Sequence, residues 1–515
     1  MIGVCDHRLE AANRVNDSEA LVRTLKRAAT LRCPTDALIE GRSVAALDGA
    51  RFTNSAPGDG RSLGEVVSGS AADIDRAVVS ARAAFDDGRW RDQTAKAKKA
   101  VLHAFADILT AHADELALLE SLDTGKPIGD AEAVDIPLAI NTTRYYAEAL
   151  DKIYGEVAPP SPTRLSYAVH EPLGVIGAIV PWNFPLHMAM WKVAPALAMG
   201  NSVVLKPAEQ SPMTAIRMAE LALDAGLPAG VLNVVPGTGD AAGQALARHM
   251  DVDMIAFTGS GQVGRLLMRY SGESNLKRVS LELGGKSPQI VFPDCPDLEA
   301  AAQAAAWAIF YNQGQVCTAA SRLLVHRDIK SDFVQRVVEV AKTIVPGEPL
   351  DPATRFGAMI SEAQMNVALG YIATAEREGA QRLLGGSRVR QASGGYYVEP
   401  TIFDGVATTA TLAREEVFGP VLGIIEFGDD EEAYAIANDT VYGLAAGVWT
   451  ANLNRAHAAA RRLKAGLVWV NGWDACDITM PFGGFKQSGF GRDRSLHALA
   501  KYADLKAVSF TLGAA

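Results

Sequence analysis

Residues 174–206 read GVIGAIVPWNFPLHMAMWKVAPALAMGNSVVLK, and this stretch decides the class of fold. Its two ends, Gly174 to Val180 and Ser202 to Leu205, are short apolar runs rich in β-branched residues, which is typical of buried strands. The segment between them, about residues 186–199, is long enough for a helix, and Gly200 is placed to end it. A strand, a helix and a second strand at this spacing predict a βαβ unit with parallel strands.

The same alternation continues beyond this unit. Helices are predicted at about 211–225 and 240–249, and strands from Val231 to Val235 and from Met254 to Thr258. Repeated βαβ units predict an α/β fold with a doubly wound parallel sheet. A second series predicts a second α/β domain, with strands near 287–292, 321–326, 421–427, 443–449 and 466–470 and helices near 297–311, 329–344 and 430–438.

The two ends of the chain have a different pattern. The first 35 residues are predicted to be peripheral, with one helix from Asp17 to Leu31, and residues 39–70 predict short strands between turns. A capping-box-like start at Ser70 predicts a helix, and a second long helix is predicted over about 96–122. The closing segment, Lys506 to Leu512, predicts a strand with no neighbour in sequence, which indicates pairing with a distant segment or another subunit.

Composition excludes several classes of protein. The chain has 515 residues, 49% hydrophobic and 21% charged, which excludes a largely disordered protein. The net charge is −10 and basic residues do not cluster, so we expect no nucleic-acid partner. The first ten residues lack the apolar core of a secretory signal. The most apolar stretch, from Pro172, meets Asn183 and Lys192 before the roughly 20 residues that a membrane helix needs, so no membrane partner is expected.

The cysteines and histidines are scattered. The five cysteines form no C-x-x-C pair and the nine histidines show no H-x-x-x-H spacing; the cysteines are Cys5, Cys33, Cys295, Cys317 and Cys476. Disulfide frameworks and structural zinc sites need closely spaced ligands, so neither a disulfide nor a metal is expected. A reducing, cytoplasmic location is the corresponding prediction.

The segment GSGQVG at 259–264 follows a predicted strand and opens a helix, which is the context of the G-x-G-x-x-G motif. Glycines there allow backbone N–H groups to approach a pyrophosphate at a helix N-terminus, although a simple tight turn is an alternative. In the standard fingerprint an acidic residue about 20 positions further on binds a ribose hydroxyl, and Glu282 stands there.

Glu282 also has a second interpretation. It lies in LELGG (281–285), a carboxylate within an apolar strand before a glycine turn. Apolar surroundings raise the pKa of a carboxyl group, which suits it to act as a general base. An ion pair with Arg278 or Lys277 at the end of the strand is the structural alternative.

Cys317 lies in YNQGQVCTAA (311–320), after an alanine-rich helix and at the start of a new turn. A single cysteine is most often a small buried apolar residue. Here Gly314 frees the backbone, and a helix N-terminus is expected close to Cys317, where it would stabilise the thiolate. Cys317 is therefore a candidate nucleophile.

Polar side chains also follow two of the predicted parallel strands. Asn183 lies in PWNFP (181–185), just past one strand, where ligand crevices form in α/β sheets. Its amide could donate to a developing oxyanion, and a role in the turn is the alternative. Lys206 and Glu209 place a charge pair at the end of the neighbouring strand.

Together these segments resemble the aldehyde dehydrogenase superfamily. The resemblance is carried in register from about residue 39 to 510 by PWNFP (181–185), LKPAE (205–209), FTGSGQVG (257–264), LELGGK (281–286), QGQVC (313–317), EEVFGP (415–420) and PFGGFK (481–486). Residues 135–160 and QSGFGRDRSLHALAKY (487–502) are further similar to the branch that oxidises γ-glutamyl-aminobutyraldehyde and related ω-amino or guanidino aldehydes.

The resemblance implies an organisation into domains. A peripheral segment, 1–35, would precede an NAD-binding domain formed by 36–150 and 172–284. A catalytic domain would cover 285–485, and 151–171 with 500–515 would be β segments for oligomerisation, giving a homodimer or homotetramer.

The resemblance also implies roles for the candidate residues. Cys317 would attack the aldehyde, and the side chain of Asn183 with the backbone N–H of Cys317 would hold the oxyanion. Hydride transfer to NAD would leave a thioester, and Glu282 would activate the water that hydrolyses it instead of binding ribose. A thiol suits this work because its thioester is readily hydrolysed.

The implied cofactor is NAD, preferred over NADP. Lys206 and Glu209 would contact the adenine-side ribose, where the Glu209 carboxylate accepts from the 2′-hydroxyl and repels a 2′-phosphate. The remaining implied cofactor residues are Gly259, Ser260 and Gly264 on the pyrophosphate side and Glu416, Phe418 and Trp182 on the nicotinamide side.

The implied substrate is an ω-amino, γ-glutamylamino or guanidino aldehyde of polyamine catabolism. Apolar walls would come from Trp191, Tyr311 and Phe482, and a cation receptor at the mouth from Trp473, Asp474 and Asp477. His187 departs from this pattern, because it stands in a normally apolar funnel. The alternatives are a succinic semialdehyde, betaine aldehyde or broad-range aliphatic aldehyde dehydrogenase, an acylating enzyme that uses coenzyme A, and a dinucleotide-binding structural protein.

Overall fold

The computed structural model describes residues 18–474 and 477–512. The first part of the chain contains α1 (Ser18–Ala29), β1 (Ala37–Ile39), β2 (Arg42–Val44), β3 (Arg51–Ser55), β4 (Ser62–Val67), α2 (Ala71–Asp86), α3 (Ala95–Ala111), α4 (Ala113–Thr124), α5 (Ile128–Asp130), α6 (Ile136–Ala149), β5 (Glu156–Val157) and β6 (Arg164–Pro172). The capping box is confirmed, because the Asp73 carboxylate accepts from the backbone N–H and the hydroxyl of Ser70 at the start of α2.

The middle part contains β7 (Val175–Ile179), α7 (Pro185–Ala198), β8 (Ser202–Lys206), α8 (Met213–Asp224), β9 (Leu232–Val234), α9 (Gln244–Arg248), β10 (Met254–Thr258), α10 (Gly261–Gly272) and β11 (Arg278–Glu282). The strands β7, β8, β9 and β10 are buried along their whole length, as their continuous apolar sequences predict. Helix α7 is also buried throughout, so it carries His187 and Lys192 into the interior.

The last part contains β12 (Pro288–Val291), α11 (Leu298–Phe310), β13 (Arg322–His326), α12 (Lys330–Lys342), α13 (Glu362–Arg377), β14 (Gln381–Leu384), β15 (Arg388–Val389), β16 (Tyr397–Val398), β17 (Thr401–Asp404), α14 (Thr411–Arg414), β18 (Val421–Phe427), α15 (Asp430–Asn438), β19 (Ala445–Trp449), α16 (Leu453–Arg462), β20 (Leu467–Val470), β21 (Gly489–Phe490), α17 (Ser495–Lys501) and β22 (Ala503–Thr511).

The first large sheet is doubly wound, as predicted. Its strand order is β2-β1-β9-β8-β7-β10-β11-β21, and the strands from β9 to β11 run parallel. The chain passes from β7 outward to β9 on one side and then returns to place β10 on the other side of β7. The order therefore reverses between β7 and β10, and this reversal is where α/β sheets bind ligands.

The second large sheet confirms the second α/β unit. Its strand order is β14-β17-β18-β13-β12-β19-β20, and its pairs are parallel except for the antiparallel edge pair of β14 with β17. The alanine-rich helix α11 packs in the core of this unit, with Trp307 and Phe310 buried beside strand residues such as Leu323. Short alanine side chains let the helix approach the sheet closely.

A third sheet confirms the prediction that the closing strand pairs with a segment distant in sequence. Strand β22 pairs with β6 of the same chain, antiparallel, from Ala503 opposite Pro172 to Thr511 opposite Arg164, and β5 completes the sheet. The partner is distant in sequence, so no local turn signal announced it. Most of β22 is exposed to solvent.

One prediction differs from the structure in detail. The helix predicted over about 96–122 divides at His112 into α3 and α4, because the backbone of His112 leaves the helical conformation. The short strand β21, which follows the second unit in sequence, adds to the first sheet beside β11. Among the described residues, no helix combines the length and apolarity that crossing a membrane requires.

Candidate active site

Four neighbouring parallel strands present polar residues at the same edge of the first sheet. Lys206 ends β8, Asn183 follows β7, Ser260 follows β10, and Glu282 ends β11. Because the strands are parallel, their carboxyl ends meet at one edge, and Asn183 and Ser260 flank the reversal in strand order. The sheet thus brings together residues that are up to about 100 positions apart in sequence.

Cys317 reaches this edge through a tight turn after α11. Asn312 and Gln313 adopt left-handed backbone conformations, with φ of 48° and 56°, and Gly314 follows with φ of 74°. A Cβ at Gly314 would lie 2.1 Å from the carbonyl oxygen of Gly419, so only glycine fits there. The Asn312 amide donates to the backbone oxygen of Asn183 at 3.0 Å and so fastens this turn to the loop after β7.

The expected helix N-terminus beside Cys317 is not present. Cys317 lies in a turn between α11 and β13, and the chain enters a strand next. Burial raises the pKa of the Cys317 thiol well above its ordinary value, and the carboxyl groups of Glu282, Asp474 and Glu416 raise it further. Arg494 opposes them. The thiol is therefore mainly protonated at neutral pH.

A cavity of about 360 Å³ opens at this edge of the sheet. The candidate residues that line it are Trp182, Asn183, Trp191, Gly259, Ser260, Glu282, Tyr311, Cys317, Glu416, Phe418, Asp474 and Phe482, together with His187. Lys206, Glu209, Gly264, Trp473 and Asp477 are not part of its lining. The nucleophile, oxyanion donor and base candidates thus share one space.

Glu282 is a buried carboxyl group with a pKa close to neutral pH. It is 4% exposed, and its Oε1 atom has no hydrogen-bond partner among the described residues. Burial raises its pKa to about 8, and the Asp493 carboxylate adds to this shift. The predicted alternative of an ion pair is not seen, because Arg278 pairs with Asp504 and Lys277 donates to Ser274.

A network of buried charges lies behind Glu282, and no sequence motif predicted it. Lys192 on α7 and Lys501 on α17 both pair with the carboxylate of Asp493. Burial alone would raise the pKa of Asp493, but the two lysines outweigh it and hold this pKa below its ordinary value. The lysines also lower the pKa of Glu282, so the network modifies a proton affinity that burial mainly determines.

Glu416 and Phe418 form a second wall of the cavity. The Glu416 carboxyl accepts from the backbone N–H of Gly285 at 3.0 Å, and burial raises its pKa to about 7. Phe418 has a left-handed backbone, and its ring meets that of Trp182 edge to face, with 5.2 Å between the ring centres. The side-chain amide of Gln364 donates to the backbone oxygen of Phe418 at 3.0 Å and holds this conformation.

The candidate dinucleotide residues lie beside the cavity, along β8 and α10. Lys206 and Glu209 form the predicted charge pair, with 3.0 Å between Nζ and Oε2. Ser260 caps α10 by accepting from the N–H of Val263 at 3.3 Å. At Gly264 a Cβ would lie 3.0 Å from the side chain of Leu283, so α10 packs closely against the segment after β11.

The predicted cation receptor is revised by the structure. Trp473 is buried outside the cavity lining, and its ring packs on that of Trp469 at 5.0 Å between centres. Asp477 accepts from the backbone N–H and hydroxyl of Thr479, which lowers its pKa and fixes a surface turn. Asp474 does line the cavity. Of these three residues, only Asp474 is placed to meet a substrate.

His187 and Arg494 give the cavity a polar face, and of these two residues only His187 was singled out from the sequence. Trp191 donates its indole N–H to Nε2 of His187 at 2.8 Å, so the His187 proton sits on Nδ1. Burial, together with the positive charges of Arg494 and Lys126, lowers the pKa of His187 well below its ordinary value, and the ring is neutral. Arg494 was not predicted as a site residue, although it lies within the quoted segment QSGFGRDRSLHALAKY (487–502).

The described residues contain no group of three or more His, Cys, Asp or Glu side chains placed to hold a metal ion. Cys33, Cys295 and Cys317 are free thiols, and Cys5 and Cys476 lie outside the described residues.

Comparison with known proteins identifies relatives along almost the whole chain. Residues 45–508 match the aldehyde dehydrogenase family. The NADP/NAD-dependent aldehyde dehydrogenase PuuC of Escherichia coli is 52% identical over 476 residues, which cover 92% of this chain and 95% of the relative.

Solved structures are equally similar. The indole-3-acetaldehyde dehydrogenase AldA of P. syringae, in complex with NAD+ and IAA, is 55% identical with a TM-score of 0.95, covering 96% of this chain and 99% of that one. A γ-glutamyl-γ-aminobutyraldehyde dehydrogenase from Burkholderia cenocepacia is also 55% identical, with a TM-score of 0.94 and coverage of 96% and 100%.

Proposed function

This chain belongs to the aldehyde dehydrogenase family, and from that premise we propose that it oxidises an aldehyde to a carboxylic acid with NAD through a thioester on Cys317. The observation that carries the proposal is the shared cavity: Cys317, Asn183 and Glu282 line one space at the reversal in strand order. A nucleophile, an oxyanion donor and a base with a pKa near 8 are the groups that this reaction needs.

The residues divide the reaction between them. The Cys317 thiol loses its proton to solvent, and its sulfur attacks the aldehyde carbon, which gives a thiohemiacetal oxyanion. The Asn183 amide has two N–H donors; it donates to the backbone oxygen of Gln315 at 2.9 Å, and this hydrogen bond fixes its orientation beside Cys317. After oxidation at the same carbon, Glu282 takes a proton from the water that attacks the thioester, and the acid and the thiol are released.

The residues present fit a bound dinucleotide. A serine-capped helix of 12 residues begins beside the cavity, which suits a pyrophosphate at its N-terminus. The close packing of Gly264 on Leu283 matches the third glycine of the dinucleotide fingerprint. Ser260 would hold the pyrophosphate, Lys206 and Glu209 the adenine-side ribose, and Glu416 with Phe418 the nicotinamide side. The chemistry that NAD supplies when bound is acceptance of a hydride from the substrate carbon.

A spectrophotometric assay tests this function. With NAD and a simple alkanal, absorbance at the reduced-nicotinamide band should rise steadily without coenzyme A, and the free carboxylic acid should be the product. A rate that requires coenzyme A would identify an acylating enzyme. No rate with any aldehyde, despite NAD binding, would support a dinucleotide-binding structural protein.

NAD should be preferred over NADP, with an appreciably higher kcat/KM. Glu209 would accept a hydrogen bond from the ribose 2′-hydroxyl and repel a 2′-phosphate, while its partner Lys206 moderates that repulsion. In Glu209→Gln the preference should narrow, because the repelling charge is gone. Equal kcat/KM for both cofactors in the unmodified protein would contradict this assignment.

The steady-state rate should rise with pH through about 8. Only the ionised Glu282 accepts a proton, and its pKa is raised to about 8, so the base is mostly protonated and inactive below that value. Neutralising Asp493 removes a charge that raises this pKa and leaves Lys192 and Lys501 unpaired. In Asp493→Asn the midpoint of the kcat–pH profile should therefore move to lower pH. A profile that is flat between pH 6 and pH 9 would exclude Glu282 as the titrating base.

The proposed substrates are ω-amino, γ-glutamylamino or guanidino aldehydes. Aromatic walls from Trp191, Tyr311 and Phe482 suit a methylene chain, and the Asp474 carboxyl group is placed to meet a positive charge. One relative carries a related name, the B. cenocepacia γ-glutamyl-γ-aminobutyraldehyde dehydrogenase. The equally similar P. syringae enzyme is named for an aromatic aldehyde, so identity alone does not choose the substrate.

The remaining proposals concern organisation. We assign NAD binding to 36–150 and 172–284, catalysis to 285–485, and self-association to 151–171 with 500–515, in a dimer or tetramer of the cytoplasm. Exposed apolar side chains on the third sheet, among them Val157, Leu505 and Phe510, support the self-association assignment. Long exposed strands such as β22 are prone to pair with another chain.

A further inference from the structure

Arg494 brings a permanent positive charge into the cavity. It is 7% exposed, and its guanidinium carbon lies 4.6 Å from the centre of the Trp191 ring and 4.8 Å from that of Phe482. Among the described residues that line the cavity, there is no other lysine or arginine. A guanidinium group stays protonated in proteins, so this charge persists across the working pH range.

The described acidic residues that line the cavity are Glu282, Glu416 and Asp474. Burial raises the pKa of Glu282 to about 8 and that of Glu416 to about 7, so both carboxyl groups are protonated to a large extent. Burial also raises the pKa of Asp474, although Arg494 opposes the shift. Arg494 and Asp474 are thus opposite charges near the same part of the cavity.

The backbone at Arg494 indicates that its side chain is needed. Its φ of 59° and ψ of 178° fall in a region that is almost reserved for glycine. The conformation is fixed on both sides, because Asp493 and Phe482 exchange two backbone hydrogen bonds of 2.8 Å and the Ser495 N–H donates to Ile478 at 2.7 Å. Arg494 thus occupies a position that favours glycine, and its guanidinium group contacts the aromatic walls of the cavity.

We propose that Arg494 is a specificity-determining residue whose guanidinium binds a carboxylate or amide oxygen of the substrate beyond its methylene chain. Contact with the rings engages the faces of the guanidinium, whereas its N–H donors lie in its plane and suit a planar carboxylate. Asp474 supplies the opposite charge for an ammonium group. This inference rests on the proposed function and favours γ-glutamylamino aldehydes, whose head group carries both charges and an amide, over free amines.

The test compares kcat/KM for aldehydes matched in chain length: ω-carboxy aldehydes, n-alkanals and ω-amino aldehydes. Arg494→Met should lower the ratio of carboxy to alkyl substrate by about 10- to 100-fold, as expected for loss of a hydrogen bond to a charged group. Arg494→Lys should retain part of the preference for the carboxy substrate, because lysine keeps the positive charge but lacks the paired N–H donors of the guanidinium. In Arg494→Met, kcat/KM should fall by a larger factor for γ-glutamylaminobutyraldehyde than for 4-aminobutyraldehyde.

A neighbouring arginine provides the matched control. Arg492 lies over the Phe485 ring at 5.6 Å and is not part of the cavity lining. Arg492→Met removes the same charge two positions away and should keep the ratio of carboxy to alkyl substrate. If Arg494→Met unfolds at lower temperature than the unmodified protein, Arg494→Gly, which suits the backbone there, replaces it with the same expectation.

Binding gives a readout that does not depend on turnover. In a Cys317→Ala background, Arg494→Met should raise the calorimetric Kd of an ω-carboxy aldehyde by the same factor and leave that of the n-alkanal unchanged. Unchanged ratios and Kd values in an enzyme that still oxidises n-alkanals would overturn the role of Arg494. Failure of the unmodified protein to oxidise any n-alkanal would instead overturn the proposed function.

Discussion

Replacing Cys317 with alanine should abolish aldehyde oxidation and leave dinucleotide binding intact. Among the described cysteines, Cys317 is the one that lines the cavity with Asn183 and Glu282. Removal of the nucleophile in a covalent mechanism lowers kcat by at least about 1,000-fold. The dinucleotide residues Lys206, Glu209 and Ser260 lie at the end of β8 or in the loops after β8 and β10, so this substitution leaves them unchanged. Steady-state rates with several aldehydes and calorimetric titration with NAD measure the two halves of this expectation.

Cys295 offers a matched control for the same substitution. It is a free thiol that, like Cys317, is partly buried and has a raised pKa, but its Sγ donates to the backbone oxygen of Asp297 away from the cavity. Cys295→Ala should retain aldehyde oxidation. Turnover above a few per cent in Cys317→Ala, or its loss in Cys295→Ala, would show that the nucleophile has been assigned to the wrong cysteine.

Replacing Glu282 with glutamine should separate the two halves of the reaction. The thiohemiacetal and the thioester can still form, so reduced cofactor should appear as a burst of about one equivalent per active site. Hydrolysis then lacks its base, and the steady rate should fall by about 100- to 10,000-fold. Stopped-flow absorbance measures the burst and the slow phase in one trace. Hydroxylamine, which attacks a thioester without help from a base, should restore turnover.

A surface glutamate separates this effect from a general loss of charge. Glu273 is exposed at the end of α10 and pairs with Arg248 and Arg269. Glu273→Gln should show normal steady turnover. If Glu282→Gln instead kept its steady rate and lost affinity for NAD, Glu282 would be a ribose ligand, as the plain glycine-rich fingerprint suggests.

The fold was predictable wherever local sequence determines local structure. Strand β10 and helix α15 begin and end at the predicted residues, because β-branched runs and capping residues such as Asp429 mark their bounds. The strand ends then placed Asn183 and Glu282 correctly, since parallel strands share an edge. Strands β14 to β17 and helix α13 were not anticipated, because their polar and short apolar stretches carry a weak period.

The parts that sequence analysis missed depend on contacts between distant residues. Arg494 and Asp474 both have a positive φ and both line the cavity, and no local sequence motif predicts either conformation. Asp477 stands three positions from Asp474 yet caps a turn through Thr479. The raised pKa of the Cys317 thiol arises from burial among carboxyl groups, which only the assembled structure reveals.

The ion pair between Lys501 and Asp493 connects the exposed strand β22 with the proposed base Glu282. Lys501 is the last residue of α17, and β22 begins two residues later at Ala503. A second subunit bound along β22 would therefore contact the strand that directly follows α17. The positive charge of Lys501 on α17 lowers the pKa of Glu282. Dilution, which separates subunits, would then alter proton transfer before it unfolds any domain. The specific activity of this enzyme should accordingly depend on its own concentration.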